Sequence, residues 1–325
     1  MGRILLTLTL PATLLLLGAF REASIAADKV RIAVVNYNVS SLTAGIAEKK
    51  EFFKQEGLQV ELIRMRPPIS VAALSSGEID SSMICGSAIR AAVRGVLPLK
   101  IIATFMNGSN HALIVRPGIQ SVRDLKGKTL GIGAIGDTTH LAARALFKAN
   151  GLDLEKEAKV LAVGPDPARL AAMKENLISA TLASPPADVE GKRMGFNILL
   201  RTYEAFRFPT VSLCTTDTKI KQRRQEIKRT LKALIRGQRF LVENRAEAIQ
   251  VLMEWAKTDK ESAMAAYDAS AEIFSPDGSG PDEGLRFLVD EAKNEAKIRR
   301  EISLREIADE TILREVHGEL GIQRR

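Results

Sequence analysis

From Lys29 onward, apolar and polar positions alternate between two periods. Val30-Arg-Ile-Ala-Val-Val35 is a β-run broken at Asn36-Tyr37-Asn38. Residues 40–57 then read as one amphipathic helix, with Leu42, Ile46, Phe52 and Phe53 apolar, residues 48–51 charged, and Gly57 closing it. Residues 58–65 alternate as a strand. Pro67-Pro68 turns the chain, and a short helix over 69–76 leads to a strand over 82–85. Gly86-Ser87 opens a helix to Gly95, and Leu99 to Phe105 is the fourth strand. Strands alternating with helices predict a parallel α/β sheet with right-handed crossovers, whose ligands sit outside the carboxyl ends of the strands. The residues at those ends are Asn36 and Tyr37; Cys85, Gly86 and Ser87; and Asn107, Gly108 and Ser109. Each is small or hydrogen-bonding, as a pocket rim requires.

The pattern restarts after Ser109, with a strand over 112–116 and a Pro117-Gly118 turn. Residues 128–133 form a short apolar strand punctuated by glycine, and Gly136-Asp137-Thr138-Thr139 supplies helix-start chemistry. Leu141, Ala145, Leu146 and Ala149 recur at helical spacing until Asn150-Gly151. A glycine loop opening onto a helix N-terminus suits an anion, because unpaired N–H groups and the helix dipole point at it. Gly131, Gly133 and Gly136 also spell the G-x-G-x-x-G dinucleotide fingerprint. Two readings therefore compete: a cofactor loop, and a small-ligand pocket in a binding protein. Further strands are predicted over 159–164, 180–183 and 196–200, a helix begins at Asp166-Pro167, and Ser184-Pro185 follows the 180–183 strand. After one more strand over 210–215 the chain reads as helical almost to its end, over 223–244, 246–258, 260–274, 282–297 and 303–318.

The first 26 residues stand apart: Arg3 precedes an almost wholly apolar run to Phe20, and Ser24-Ile25-Ala26 offers small residues for cleavage. A cleaved signal peptide is expected, with no cysteine nearby to carry a lipid anchor, and hence an exported, periplasmic protein. The net charge of +8 becomes +7 once Arg3, Arg21 and Glu22 leave. Basic residues are interleaved with acids, as over 219–229, and aromatics make up only 5% of the chain, so nucleic acid is not an expected partner. Two cysteines without a histidine pattern do not make a zinc site. Three histidines and no Ser/His/Asp arrangement give no hydrolase machinery, and no cofactor or metal is expected. His111 reads as structural at a crossover, and Trp255 and Tyr267 as core. Tyr37, at a strand end, is the better ring for stacking on a ligand.

The order of leader, α/β unit, second α/β unit, return strand and helical tail resembles the type II periplasmic solute-binding proteins of ABC importers, in the branch that takes up sulfonates, nitrate, taurine or pyrimidine precursors. Gly57-Leu58 before a strand, Ala73-Leu-Ser-Ser-Gly-Glu-Ile-Asp80, Gly195-Phe196, Asp309 and Glu319-Leu-Gly321 are similar to its recurring steps. Ile119-Gln-Ser-Val-Arg-Asp-Leu-Lys-Gly-Lys128 is similar to its I-x-s-x-x-DLkGK signature. The resemblance implies an α/β, two-lobed fold with a cleft and a helical C-terminal tail. Lobe 1 would be discontinuous, over 27–108 and 207–325, and lobe 2 would span 109–206. Hinge closure would trap a small solute for a membrane permease, without catalysis and as a monomer. The solute would touch the lobe 1 strand ends, Gly136, Asp137, Thr138 and Thr139, and a far wall at Ser184 and Pro185. Asp137 departs from an anion site, since its carboxylate repels an anion unless it points away as a cap. The implied topology sets the Cys85 strand beside the return strand carrying Cys214, which leaves a disulfide open. The alternatives are an exported sensor lobe and a dinucleotide-dependent enzyme using Gly131 to Gly136.

Overall fold

A computed structural model describes residue 2, residues 27–185 and residues 187–323. The expected signal peptide lies outside the described residues. Among the described residues, ten strands form two five-stranded sheets. The first holds β1 (Asp28–Val34), β2 (Leu58–Arg64), β3 (Ser81–Met83) and β4 (Leu99–Met106). The second holds β5 (Ala112–Val115), β6 (Thr129–Ile132), β7 (Lys159–Ala162), β8 (Ala180–Ala183) and β9 (Asn197–Arg201). The chain then returns to the first sheet as β10 (Val211–Thr216). The orders are β2-β1-β3-β10-β4 and β7-β6-β8-β5-β9.

The sheets are mixed, where alternation of strands and helices predicts parallel ones. β10 runs antiparallel to β3 and β4, and β5 runs antiparallel to β8 and β9. Each is the strand by which the chain first enters a sheet from the other lobe, with no crossover helix to reverse its direction. The apolar runs explain the burial. β5, β8 and β10 are buried at every position, because helices or neighbouring strands cover both faces.

The expected helix over 40–57 is two helices, Leu42–Lys49 and Phe52–Gln55, separated by Glu51 in a left-handed conformation. The break turns Phe53 into the core and sets Phe52 edge-on to Phe240. Pro67 and Pro68 do not turn the chain. They occupy the first turn of the helix Pro67–Ser76, where a missing N–H costs nothing. In the tail, Arg224–Glu243 is the longest helix. Its Gly237 lets it approach Leu42–Lys49 closely, since a Cβ there would lie 2.7 Å from the Thr43 carbonyl.

One apolar cluster fills a face of the first sheet under the helices Leu42–Lys49, Arg224–Glu243 and Thr311–Leu320. A second is continuous between the sheets. It joins Ile89 and Leu288 of the first lobe to Leu141, Leu146 and Leu182 of the second. The helix Asp282–Ala296, sent back by the C-terminal tail, packs against the helix Gly86–Val93 and closes this seam. Among the described residues, no helix is long and apolar enough to cross a membrane.

Candidate functional site

The glycine loop after β6 builds one wall. Asp137 caps the helix Thr138–Ala149 and turns its carboxylate inward. Oδ1 accepts from the His140 N–H at 2.9 Å and from the Thr139 hydroxyl at 2.6 Å, and Oδ2 accepts from the Ala134 N–H at 2.8 Å. Thr139 Oγ1 in turn accepts the Gly133 N–H at 2.8 Å. Its hydroxyl is therefore consumed inside the loop, and Thr139 offers the outside only its N–H. Thr138 is exposed. Four N–H groups at a helix start lack intrahelical partners. Here His140 is capped by the carboxylate and Leu141 bonds the Asp137 carbonyl, which leaves the N–H groups of Thr138 and Thr139.

Each glycine of the fingerprint has its own local cause. A Cβ on Gly131 would lie 2.4 Å from Ile178, and one on Gly133 would lie 2.2 Å from the Asp137 carboxylate. Gly136 has φ +77°, a left-handed conformation that glycine adopts without strain. Its N–H donates to His140 Nδ1 at 2.9 Å. That leaves the His140 proton on Nε2, 3.2 Å from Glu155. Burial holds His140 below the usual imidazole range, with Arg144 adding to the shift and Glu155 opposing it.

The second wall comes from the first lobe. Gly86 and Ser87 open the helix Gly86–Val93, and Arg90 lies one turn on. Arg90 donates to the Ser87 hydroxyl at 3.1 Å and, across the lobes, to the Gly136 carbonyl at 2.7 Å. A Cβ on Gly86 would rest 3.4 Å from Leu141. The structure thus brings Gly86 and Ser87 against the Gly136 loop. Arg90 is a participant that the spacing of the chain did not single out. Its position i+4 from Gly86 on a helix aimed at the other lobe was the available signal.

Asn36 and Tyr37 sit exposed at the end of β1. The Tyr37 ring meets Trp255 edge-on with centroids 4.6 Å apart, and Trp255 Nε1 donates to Ser41 Oγ at 3.1 Å. Trp255 is thus half-buried beside a candidate ligand ring, where its sequence position reads as core. Tyr267 is core as expected, with its hydroxyl on the Leu241 carbonyl at 2.7 Å. Cys85 is buried behind the rim, and burial pushes its thiol up to about 12. Cys214 is also buried, and both thiols are free. Asn107 donates to the Ser279 carbonyl at 3.0 Å, with its side-chain oxygen buried and without a partner among the described residues. Gly108 is squeezed between Ile273 and Tyr203, each 2.7 Å from where a Cβ would stand.

In the second lobe, Ser184 binds Asp166 through its hydroxyl at 3.0 Å, and Pro185 follows in a turn. Asp166 is paired with the buried Arg169, which also donates to Thr181 Oγ1 at 3.0 Å and to the carbonyls of Gly164 and Leu182. Arg169 thereby ties the ends of β7 and β8 together. At the crossovers, Arg201 pairs with buried Asp188 at 2.6 Å, and Ser109 Oγ lies 2.7 Å from His111 Nδ1. Burial lowers the His111 pKa, Asp166 opposes that shift, and Arg169 adds to it. The Asp137, Asp166 and Asp188 carboxylates are each engaged within the second lobe. Among the described residues, no cluster of three His, Cys, Asp or Glu side chains could hold a metal ion. A cavity of about 400 Å³ lies elsewhere, between Arg239, Glu243, Asp277 and Ile322.

The fold is shared with solved binding proteins. The periplasmic aliphatic sulphonate binding protein SsuA of Escherichia coli superposes with a TM-score of 0.72 at 15% identity, over 88% of this chain and 99% of that one. The periplasmic nitrate-binding protein NrtA of Synechocystis PCC 6803 gives 0.71 at 16% identity, over 91% and 90%. A protein of Brucella abortus (strain 2308), whose name assigns it provisionally to binding proteins, is 25% identical over 244 residues, covering 72% of this chain and 74% of its own. The NMT1/THI5-like family profile matches residues 38–248, more than half of the chain. With two α/β lobes of the periplasmic-binding-protein type and that match, the chain belongs to the NMT1/THI5-like family.

Proposed function

We propose that this protein is the solute-binding component of an ABC importer, exported by its leader and acting as a monomer without catalysis. Lobe 1 comprises 27–108 and 207–325, and lobe 2 comprises 109–206. A small solute, anionic in character, is captured by hinge closure between Asn36, Tyr37, Gly86, Ser87, Asn107 and Gly108 on one side and Gly136 to Thr139, Ser184 and Pro185 on the other. Cys85 supports the rim from behind, and Thr139 contributes its N–H. The closed form is delivered to a membrane permease.

One observation carries this reading: the inward turn of the Asp137 carboxylate. It directs the carboxylate oxygens at the loop's own donors and leaves the Thr138 and Thr139 N–H groups at the positive end of a twelve-residue helix. Facing them, Arg90 is bonded to two neutral oxygens. The same geometry disfavours the dinucleotide reading. The loop N–H of Ala134, which a pyrophosphate would need, is already held by Asp137. The test is a thermal-shift panel of sulfonates, nitrate, carboxylates, amines, pyrimidines and NAD. A solute bound only to the native state adds about 2.7 kcal/mol at 100 times its dissociation constant. Stabilisation by a small anion is expected, and stabilisation by amines alone or NAD alone refutes the reading.

A further inference from the structure

The glycine loop is held from both lobes at a single residue. The Gly136 carbonyl accepts Arg90 of the first lobe, and the Gly136 N–H donates to His140 of the second. From His140 a chain of side chains leads away from the cleft. His140 Nε2 donates to Glu155, Arg144 donates to the same Glu155 oxygen at 2.5 Å, and Arg144 reaches across to Glu291 at 2.6 Å. Glu291 belongs to the helix Asp282–Ala296 of the first lobe. One turn further, Glu295 pairs with Arg94 at 2.8 Å, and its carboxylate stands 3.8 Å from where a Cβ of Gly136 would be. Lys148 lies over the Phe287 ring at 5.4 Å, extending the same seam. The Arg144 and Glu291 side chains are 25% and 16% exposed, so solvent screens this pair less than an open surface bridge.

We infer that the Arg144–Glu291 pair is a clasp holding the lobes closed, and that His140 and Glu155 relay the state of that clasp to the Gly136 loop. Opening the lobes costs both the Arg144–Glu291 and the Arg90–Gly136 bonds. Losing the first frees Arg144 to re-pair with Glu155 alone, which competes for the oxygen that orients His140. Losing the second frees the carbonyl of Gly136, the residue whose N–H His140 holds. Arg90, Arg144, His140, Glu155 and Glu291 therefore act as positioning residues for the loop. The groups facing His140 are Asp137 and Arg144 on its own helix and Glu155 on the helix Leu154–Glu157, with Arg90 reaching Gly136 from the first lobe. A proton on Nδ1 removes the acceptor for the Gly136 N–H, so acid uncouples the loop from the clasp. The inference rests on the hinge-closure reading.

The test measures interlobe distance by double electron–electron resonance on the ligand-free chain, spin-labelled at Ile69→Cys and Leu177→Cys. Both positions are exposed, and the native cysteines are buried away from the label. Circular dichroism melts establish that each variant is folded. Glu291→Gln is expected to raise the long-distance population at least five-fold. Glu254→Gln, which breaks the exposed pair with Lys49 inside lobe 1, is expected to leave it unchanged. His140→Gln, which cuts the relay and leaves the clasp, is expected to keep the wild-type distances. Coincident distributions for Glu291→Gln and wild type overturn the clasp. A shift in Glu291→Gln without faster amide exchange over residues 134–140 overturns the relay. Adding the stabilising anion to Glu291→Gln separates this inference from the reading beneath it: shortening on addition keeps hinge closure, and its absence refutes hinge closure itself.

Discussion

Replacing Asp137 separates a structural cap from a ligand contact. The carboxylate accepts three hydrogen bonds, from Ala134 N, Thr139 Oγ1 and His140 N, at 2.8, 2.6 and 2.9 Å. Losing an N-cap side chain costs about 1 kcal/mol, and each hydrogen bond to a charged group contributes roughly 1.5–3 kcal/mol. The Ala134 N–H is exposed and recovers water, so the bonds do not sum. Asp137→Ala should cost about 2–3 kcal/mol, which at roughly 2–4 °C per kcal/mol lowers the melting point by about 5–10 °C. Asp137→Asn keeps a capping oxygen but turns an amide N–H₂ toward Ala134 N, and should lose about 1 kcal/mol. Differential scanning calorimetry measures both, and isothermal titration with a stabilising anion measures binding. Because the carboxylate faces inward, Asp137→Asn should bind the anion at least as well as wild type. The reasoning is refuted if Asp137→Ala melts with wild type, or if Asp137→Asn binds more weakly while melting normally.

Four further outcomes follow from the geometry. Arg169→Ala should lose about 2–4 kcal/mol in chemical denaturation, because the buried guanidinium no longer holds Asp166, Thr181 and the Leu182 carbonyl, and Arg169→Lys should recover only part of it for want of a planar fork. Gly237→Ala should cost about 1–3 kcal/mol, since the new Cβ meets the rigid Thr43 backbone, and a thermal melt reads it. His140 and His111 both sit below their unfolded value, so the neutral forms stabilise the native state fully above pH about 6.5. That stability should fall as pH drops from about 6.5 through the lower folded values, and a melting series from pH 7.5 to 4.5 should show a shallower slope when His140 is replaced by Gln, with His111 keeping the rest. Cys85 and Cys214 should resist an aromatic disulfide reagent in native buffer and react together on unfolding, since burial holds both thiols protonated.

Apolar runs with turn residues at their ends made the strands legible. Residues 112–116 and 180–183 were readable as strands because four consecutive buried positions leave little else. The helix Thr138–Ala149 was readable from Asp137 and the Leu141, Leu146 spacing, and Asp137 as its cap from the chemistry of its side chain. The break at Glu51 was not, since charged residues continue across it and only the packing of Phe52 on Phe240 asks for the turn. Strand direction was hidden too, because a sequence gives no sign that β5 and β10 enter their sheets straight from the other lobe. Of the site, the loop and the helix start at Gly86 were visible as local signals. Trp255 beside Tyr37 and Arg90 against Gly136 are contacts between residues far apart in the chain, and the i+4 spacing of Arg90 from Gly86 is the one local sign of either.

The central claim is that a small solute binds between the lobes. Hydrogen–deuterium exchange of the mature chain, with and without the anion that stabilises it, tests this most directly. The account predicts protection confined to residues 36–41, 86–90, 107–108, 134–140 and 184–185. Protection at Arg239 to Glu243, Asp277 and Gly321 to Gln323 instead, around the cavity of about 400 Å³, would contradict it.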